Sequence, residues 1–172
     1  MKDLNQDNFG LLIAFLLPGF IFLWGLSLTF PEVATWLAAT SGEHASTVGG
    51  FLYSTLASLA LGLLISGVRW RFIDLLMRWT GVHGKGLTYE KLKDADTLAT
   101  YKEIIANHYR YYQYYANSLV AVIGAFAVYA VKQHWKNPTS LYVALGILVV
   151  VLFMASRDAL SSMYAKLRDI LK

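Results

Sequence analysis

The chain has 172 residues; 56% of them are hydrophobic, and its 15 basic and 11 acidic side chains make up only 15%. A soluble domain of this length carries about 25% charged residues, so the composition argues against an ordinary soluble protein. The chain has no cysteine, which excludes disulfides, thiolate catalysis and cysteine-ligated metals.

Four stretches without a charged side chain are long enough to cross a bilayer. They cover residues 9–30, 46–68, 111–131 and 137–156. A membrane helix needs roughly 20 mainly apolar residues, because the hydrocarbon layer is ~30 Å thick and a helix rises ~1.5 Å per residue. A soluble helix would carry charge on its wet face. The sequence therefore predicts an all-α integral membrane protein with four transmembrane helices in contact with the lipid bilayer.

The first span carries Pro18 and Gly19 near its middle. Proline removes a backbone donor and clashes with the preceding turn, so this pair predicts a kink. Proline is common in membrane helices, which favours a kink that shapes the packing over a hinge for gating. The next loop begins with Pro31 and Glu32, which suits a short interfacial helix ending at residues 41–42.

Small residues recur every four positions in span 2 and are frequent in span 3. Lipid tails do not drive helices together, so close backbone approach along such a ridge is what holds them. The pattern leaves open whether the ridge packs within one subunit, between subunits of a homo-oligomer, or along a pore. The predicted ridge positions are Ser54, Ser58, Gly62 and Ser66 in span 2 and Ala121, Gly124 and Ala125 in span 3.

Residues 69–110 predict a helical hairpin that extends spans 2 and 3 beyond the membrane. Its first helix places Asp74 within reach of Arg71 and Arg78 on one face, and Thr88 or Asp96 is a candidate cap for its second helix. Near span 3 the tyrosines are dense, which is typical of an interfacial aromatic belt, with a recognition surface or gate as the alternative. The predicted boundary cluster of charges and aromatics comprises Arg71, Asp74, Arg78, His108, Arg110, Tyr111, Tyr112 and Tyr115.

Residues 157–172 continue the helix of span 4 as an amphipathic segment. Its apolar stripe consists of Leu160, Met163, Tyr164, Leu167 and Ile170. Such a stripe needs cover, which the hairpin, a second subunit, a partner protein or the membrane surface would provide. The sequence predicts a cytoplasmic interface here, so that Leu160→Glu or Leu167→Glu would abolish assembly or partner capture while insertion survives.

Lysine and arginine are distributed unevenly between the two sides of the predicted membrane. Residues 69–110 and 157–172 carry most of them, the loop 31–45 has none, and the turn 132–136 has only Lys132 and Lys136. Positive residues mark the cytoplasmic side. We therefore expect both termini and the hairpin to face the cytoplasm, with the inner membrane of a bacterium as the expected location.

Nothing in the sequence predicts catalysis, a cofactor or a metal site. The four spans contain no Asp, Glu, Lys, Arg or His, which disfavours a proton-coupled transporter or a membrane-embedded enzyme. His44, His83, His108 and His134 lack the spacing of metal ligands. The basic residues line the membrane boundary rather than one soluble module, so nucleic acid is not an expected partner.

Two functional interpretations remain. In the first, the chain is an oligomeric inner-membrane subunit that presents its cytoplasmic helices to a partner protein, as an anchor, scaffold or sensor. In the second, the oligomer is a small channel or a membrane-perturbing effector of the kind used by bacterial toxin and phage-defence systems, an analogy of architecture only. Planar bilayers discriminate them, because only the second predicts unitary currents.

Overall fold

The computed structural model describes residues 6–38, 48–84, 92–133 and 138–171. These residues are almost entirely helical and include no strand, which confirms the predicted all-α class over the described part of the chain. The helices are α1 (Gln6–Ser27), α2 (Pro31–Ala38), α3 (Val48–Trp79), α4 (Ala95–Ile104), α5 (Arg110–Lys132) and α6 (Thr139–Leu171), and a π-helix (Ile105–Tyr109) joins α4 to α5.

Among the described residues, three helical segments are long and apolar enough to cross a membrane. They are Gly50–Trp79, Ala95–Lys132 and Thr139–Leu171. The apolar part of α1, Leu12–Ser27, is shorter than these three segments. Residues 46–47 and 137, which the sequence assigns to spans 2 and 4, lie outside the described residues, as do residues 41–42 and Thr88.

The outward faces of the long helices are apolar. Only 17% of the apolar window of α3 and 6% of that of α6 is buried within the protein. A soluble monomer rarely exposes an apolar patch larger than a few hundred Å², so lengths and surfaces together point to integration in a membrane. The exposed apolar side chains include Leu56, Leu63 and Leu64 of α3 and Val143, Ile147, Val150, Val151 and Met154 of α6.

Helix α1 packs against both α3 and α5, and α5 packs in turn against α6. The contact with α3 is at backbone distance: a Cβ built on Gly19 would lie 1.7 Å from the Ser58 carbonyl oxygen, and one on Gly62 would lie 2.0 Å from that of Phe15. Glycine is therefore required at both positions by the neighbouring helix. Close approach of this kind is how helices associate where the surroundings are apolar.

Pro18 lies inside α1, and the helix continues through it. Proline has no backbone N–H, so the carbonyl of the residue four positions earlier, Ala14, loses its helical partner. The Asn117 side chain of α5 replaces that partner, since its Nδ2 donates to the Ala14 oxygen at 2.8 Å. Ala14 and Asn117 are both completely buried. A proline in α1 and an amide in α5 thus form one packing unit.

Replacing Asn117 with leucine should destabilise the protein by about 1–3 kcal/mol, because the buried Ala14 carbonyl would have no donor. In a Pro18→Ala background the backbone N–H at position 18 can serve that carbonyl. The cost of Asn117→Leu should then fall by about 1 kcal/mol, a coupling that a double-mutant cycle of unfolding in mild detergent measures. An equal cost in both backgrounds would show that the two residues do not act together.

The end of α3 that lies beyond its uncharged stretch, the first turns of α5 and the end of α6 meet in a second packing region. We call this end of the molecule the distal end, and its buried cluster of Met77, Val82, Tyr112, Ala116, Leu160, Met163 and Leu167 the distal core. Side chains from α4 and the π-helix, including Tyr101 and Ile104, pack on its edge. The distal core joins the apolar helices to the rest of the described chain.

Residues 69–110, which the sequence predicts to form a hairpin, include the end of α3, then α4 and the π-helix, and residues 85–91 lie outside the described residues. Helix α3 ends at Trp79. Gly81, two residues later, has a φ of 86°, a left-handed conformation that favours glycine after the end of a helix. The second helix begins at Ala95. Its cap is Asp94 rather than Asp96, because the Asp94 carboxylate accepts from the Thr97 backbone N–H at 2.9 Å. That hydrogen bond lowers the pKa of Asp94.

Candidate functional site

A buried ion pair lies at the start of the distal end. Arg69 comes directly after the uncharged stretch of α3, and only 3% of it is exposed. Its Nη1 lies 3.3 Å from Oδ1 of Asp74, whose side chain is 22% exposed. A guanidinium this deeply buried needs a compensating charge, and Asp74 supplies it.

Two tyrosines of the π-helix and α5 complete the surroundings of this pair. The Tyr112 hydroxyl donates to the same Asp74 oxygen. The Arg69 guanidinium carbon lies 5.2 Å from the ring centroid of Tyr112 and 6.0 Å from that of Tyr109, within the range of cation–π attraction. We call Arg69, Asp74, Tyr109 and Tyr112 the Arg69 cluster.

The sequence pattern assigned different partners to Asp74. Arg71 is exposed, and Arg78 donates through Nε to the Asp74 backbone oxygen at 3.3 Å rather than to the carboxylate. The carboxylate instead accepts from Arg69, five residues earlier, a spacing that does not bring side chains together along one helix face. Burial between α3 and α5 selects this arginine, so a helix-face rule applied to α3 alone could not have found it.

The remaining residues of the predicted boundary cluster do not gather into one site. Tyr111 is 58% exposed, and Tyr115 packs on Tyr114 with ring centroids 5.2 Å apart. Arg110 lies over Gly10, since a Cβ built there would be 2.3 Å from the Arg110 Cδ. The cluster predicted from sequence is thus split between the Arg69 cluster and separate packing contacts.

His108 lies in the π-helix and faces α6. Burial and the charge of Lys166 lower the pKa of His108. The imidazole is therefore protonated less readily than that of an exposed histidine.

A cavity of about 220 Å³ opens beside the Arg69 cluster at the distal end. We call it the distal pocket. Its walls combine charged, aromatic and aliphatic side chains from α3, the π-helix, α5 and α6. They are Trp70, Asp74, Met77, Arg78, Val82, Tyr109, Tyr112, Leu160 and Tyr164.

A larger cavity of about 580 Å³ lies between α1, α2 and α3 at the opposite end of the molecule. Leu23, Trp36 and Leu56 contribute to its mostly apolar walls, and Ser54 of the predicted ridge lines it. Such a groove offers burial to an apolar group and no reactive chemistry.

The small-residue ridge is used inside the subunit. Ser58 and Gly62 are buried against α1. On α5, Ala125 and Gly124 also face α1, since a Cβ on Gly25 would lie 2.3 Å from that of Ala125, and one on Gly124 would lie 2.9 Å from the Phe22 ring. Ala121 is buried as well, whereas Ser66 is only half-buried. The sequence left open packing within one subunit, between subunits or along a pore, and these contacts are of the first kind.

The apolar stripe of α6 is covered by this chain itself. Leu160, Met163 and Leu167 are no more than 5% exposed and belong to the distal core, with Tyr164 and Ile170 packed at its edge. Residues of α3, α4 and α5 cover these positions, which is one of the covers that the sequence left open. Leu160→Glu and Leu167→Glu would disrupt this core rather than a docking surface.

No protein-family model matches this chain, and neither the curated proteins nor the solved structures include a significant match to it. The geometry of the chain is therefore the guide to its function. Of the four histidines, His44 and His134 lie outside the described residues. His83 and His108 are described and are separated by 25 positions in the sequence.

Proposed function

We propose that this chain is an integral membrane subunit that holds a rigid helical platform in the cytoplasm and presents it to a soluble partner protein. The observation that carries this proposal is the continuity of α3 and α6. Each runs from an apolar, outward-facing stretch into the distal core without a break. The apolar helices and the distal end are therefore packed as one unit, which suits an anchor, scaffold or sensor.

In this proposal α1 is the fourth transmembrane helix. It has 22 residues, which correspond to about 33 Å at 1.5 Å per residue, close to the thickness of the hydrocarbon layer. Its position against α3 and α5 supports a crossing, because those two helices supply donors and close contacts that a proline-containing helix needs.

The absence of cysteine makes the proposed orientation directly testable. Lys102 of α4 and Trp36 of α2 are both exposed, and the charge rule places them on opposite sides of the membrane. In intact cells, a membrane-impermeant maleimide should label Trp36→Cys and should spare Lys102→Cys until the membrane is opened. The reverse pattern would overturn the cytoplasmic platform.

The surface available to a partner is the polar outer face of the distal end. Lys93, Asp96, Lys102 and Glu103 of the α4 region are exposed. Charged side chains of both signs suit specific recognition of a soluble protein more than burial of an apolar helix. This face replaces the α6 stripe as the proposed interface.

The proposal is tested by co-expressing the chain with the products of its neighbouring genes and purifying it in mild detergent. We expect a defined complex, with a mass that also gives the number of copies of this chain. Lys102→Glu should weaken the complex about tenfold, whereas Glu32→Lys, a charge reversal in α2 at the other end, should leave it intact. A homo-oligomer with no partner, or equal effects of both reversals, would contradict it.

Electrical recording distinguishes the channel or membrane-perturbing effector. Because α1 contacts α3 at backbone distance and packs closely on Ala125 of α5, a conducting pathway would have to run between copies rather than through these interfaces. Purified protein in planar bilayers should be silent under the proposal. Unitary currents would replace it with the channel interpretation.

A further inference from the structure

The distal pocket has no role in the proposed function, and its charge balance is uneven. Asp74 is the acidic side chain in its wall, and its carboxylate is already engaged by Arg69 and by the Tyr112 hydroxyl. The Asp74 charge is therefore compensated within the protein. A cation entering the pocket would meet no carboxylate free to bind it among the described wall residues.

Arg78 is the basic side chain in the wall of the pocket. Its Nε donates to the Asp74 backbone oxygen, which holds the start of the guanidinium in place. A guanidinium has five N–H donors in a planar fork that matches phosphate and carboxylate oxygens. With Arg69 neutralised by Asp74, the charge of Arg78 has no carboxylate partner among the described residues. Among the described wall residues, the charge that is not compensated by an ion pair is therefore positive.

The position of the pocket along the helices limits what can reach it. Trp70 lies two residues beyond the uncharged stretch of α3, and Tyr109 lies two residues before that of α5. Trp70 is 69% exposed, and aromatic rings at such positions sit at the level of lipid headgroups. By this rule one side of the pocket lies at the level of the phosphates of a membrane, and the wall also contains Arg78, whose side chain is exposed.

We propose that the distal pocket binds the phosphate group of an anionic ligand. The guanidinium of Arg78 receives the phosphate oxygens, and the rings of Trp70 and Tyr109 cover the organic part. A volume of about 220 Å³ admits a phosphate with a small organic group such as glycerol. The same chemistry is offered by an anionic lipid headgroup and by a soluble phosphate ester. This proposal does not depend on the partner protein proposed above.

The test compares two arginines of α3. Arg78→Gln removes a charge from the pocket wall, and Arg71→Gln removes the same charge from an exposed position that is not part of the wall. Both proteins lose one unit of charge, so general attraction to anions changes equally. Arg78→Lys keeps the charge without the planar fork and should show intermediate binding.

Binding is measured on the full-length protein with three probes. Native mass spectrometry in mild detergent compares phosphatidylglycerol with phosphatidylcholine, and calorimetry measures glycerol 3-phosphate. We expect saturable binding of phosphatidylglycerol or of glycerol 3-phosphate that Arg78→Gln weakens about tenfold and Arg71→Gln weakens less than about twofold. Retention of the lipid alone identifies a headgroup as the source, and binding of the ester alone identifies a soluble ligand.

Equal weakening by the two glutamine variants would overturn the proposal, because the anion would then be held by the overall charge of the boundary. Failure of every probe to saturate on the wild-type protein would overturn it as well. Unfolding midpoints of the variants, expected to match that of the wild type, show that a loss of binding is local. This result is independent of the partner test, which reports on Lys102 and α4.

Discussion

Gly62→Ala is expected to destabilise the folded protein by about 3 kcal/mol, at the upper end of the usual cost of overpacking. A Cβ at this position would lie 2.0 Å from the Phe15 carbonyl oxygen and 2.7 Å from its carbon. These are backbone atoms, so no side-chain rotation relieves the collision. Helices α1 and α3 would have to separate. Equilibrium unfolding in mild detergent measures the loss.

Gly67→Ala is the matched control for this prediction. Gly67 lies in the same helix, and a Cβ built there meets nothing within 4 Å. Its stability should stay level or rise by up to about 1 kcal/mol, because alanine favours a helix over glycine. Similar losses for both variants would show that α1 and α3 are not in backbone contact. An altered copy number in Gly62→Ala with normal stability would instead restore the oligomer interpretation of the ridge.

Asp74→Ala is expected to cost about 3 kcal/mol, because it leaves the Arg69 charge buried without a counter-charge. Removing one partner of a buried ion pair is costly, and the partial exposure of Asp74 places the effect near the lower end of that range. The Tyr112 hydroxyl loses its acceptor in the same variant. Unfolding in mild detergent is again the measurement.

Two further variants isolate the charge from other effects of this substitution. Asp158→Ala removes an exposed carboxylate of α6 at the distal end and should change stability by less than about 0.5 kcal/mol. Adding Arg69→Met to Asp74→Ala should recover much of the loss, since replacing both members of a buried pair with apolar groups is often neutral. A double variant as unstable as Asp74→Ala would mean that the loss arises from packing.

The stability losses expected for Gly62→Ala and Asp74→Ala bear on the proposed function, because both substitutions disturb contacts that connect the apolar helices to the distal end. The α1–α3 contact holds the apolar part, and the Arg69 cluster lies where α3 and α5 enter the distal core. A platform that moves independently of the membrane helices would need neither. Loss of partner binding in Asp74→Ala without loss of folding would indicate that the Arg69 cluster sets the position of the platform.

The helices themselves were predictable from local features of the sequence. Long uncharged stretches bounded by charge define α3, α5 and α6, because burying charge in an apolar medium is costly over any such length. Pro31 and Glu32 predicted the start of α2, because both residue types are favourable in the first turn of a helix. Each of these signals depends on residues that are neighbours in the sequence, so one sequence was sufficient to predict these helices.

The site was less predictable, because its partners come from different helices. The sequence singled out Asp74 and Tyr112 and placed Asp74 near Arg71 and Arg78. The carboxylate instead accepts from Arg69, a choice that depends on burial between α3 and α5. Asn117 was recognisable as a polar residue of span 3, yet its role depends on a proline 99 positions away in the sequence, which no local rule connects to it.

The sequence by itself determined where the chain is helical, which stretches suit lipid, and which positions allow close approach. Only the tertiary structure decided which surface each close-packing position meets: the ridge of α3 meets α1, and the stripe of α6 meets the distal core. The physical reason is that the hydrophobicity and small size of side chains determine how favourable it is to bury a helix face. Which surface buries that face depends on how helices distant in sequence pack together.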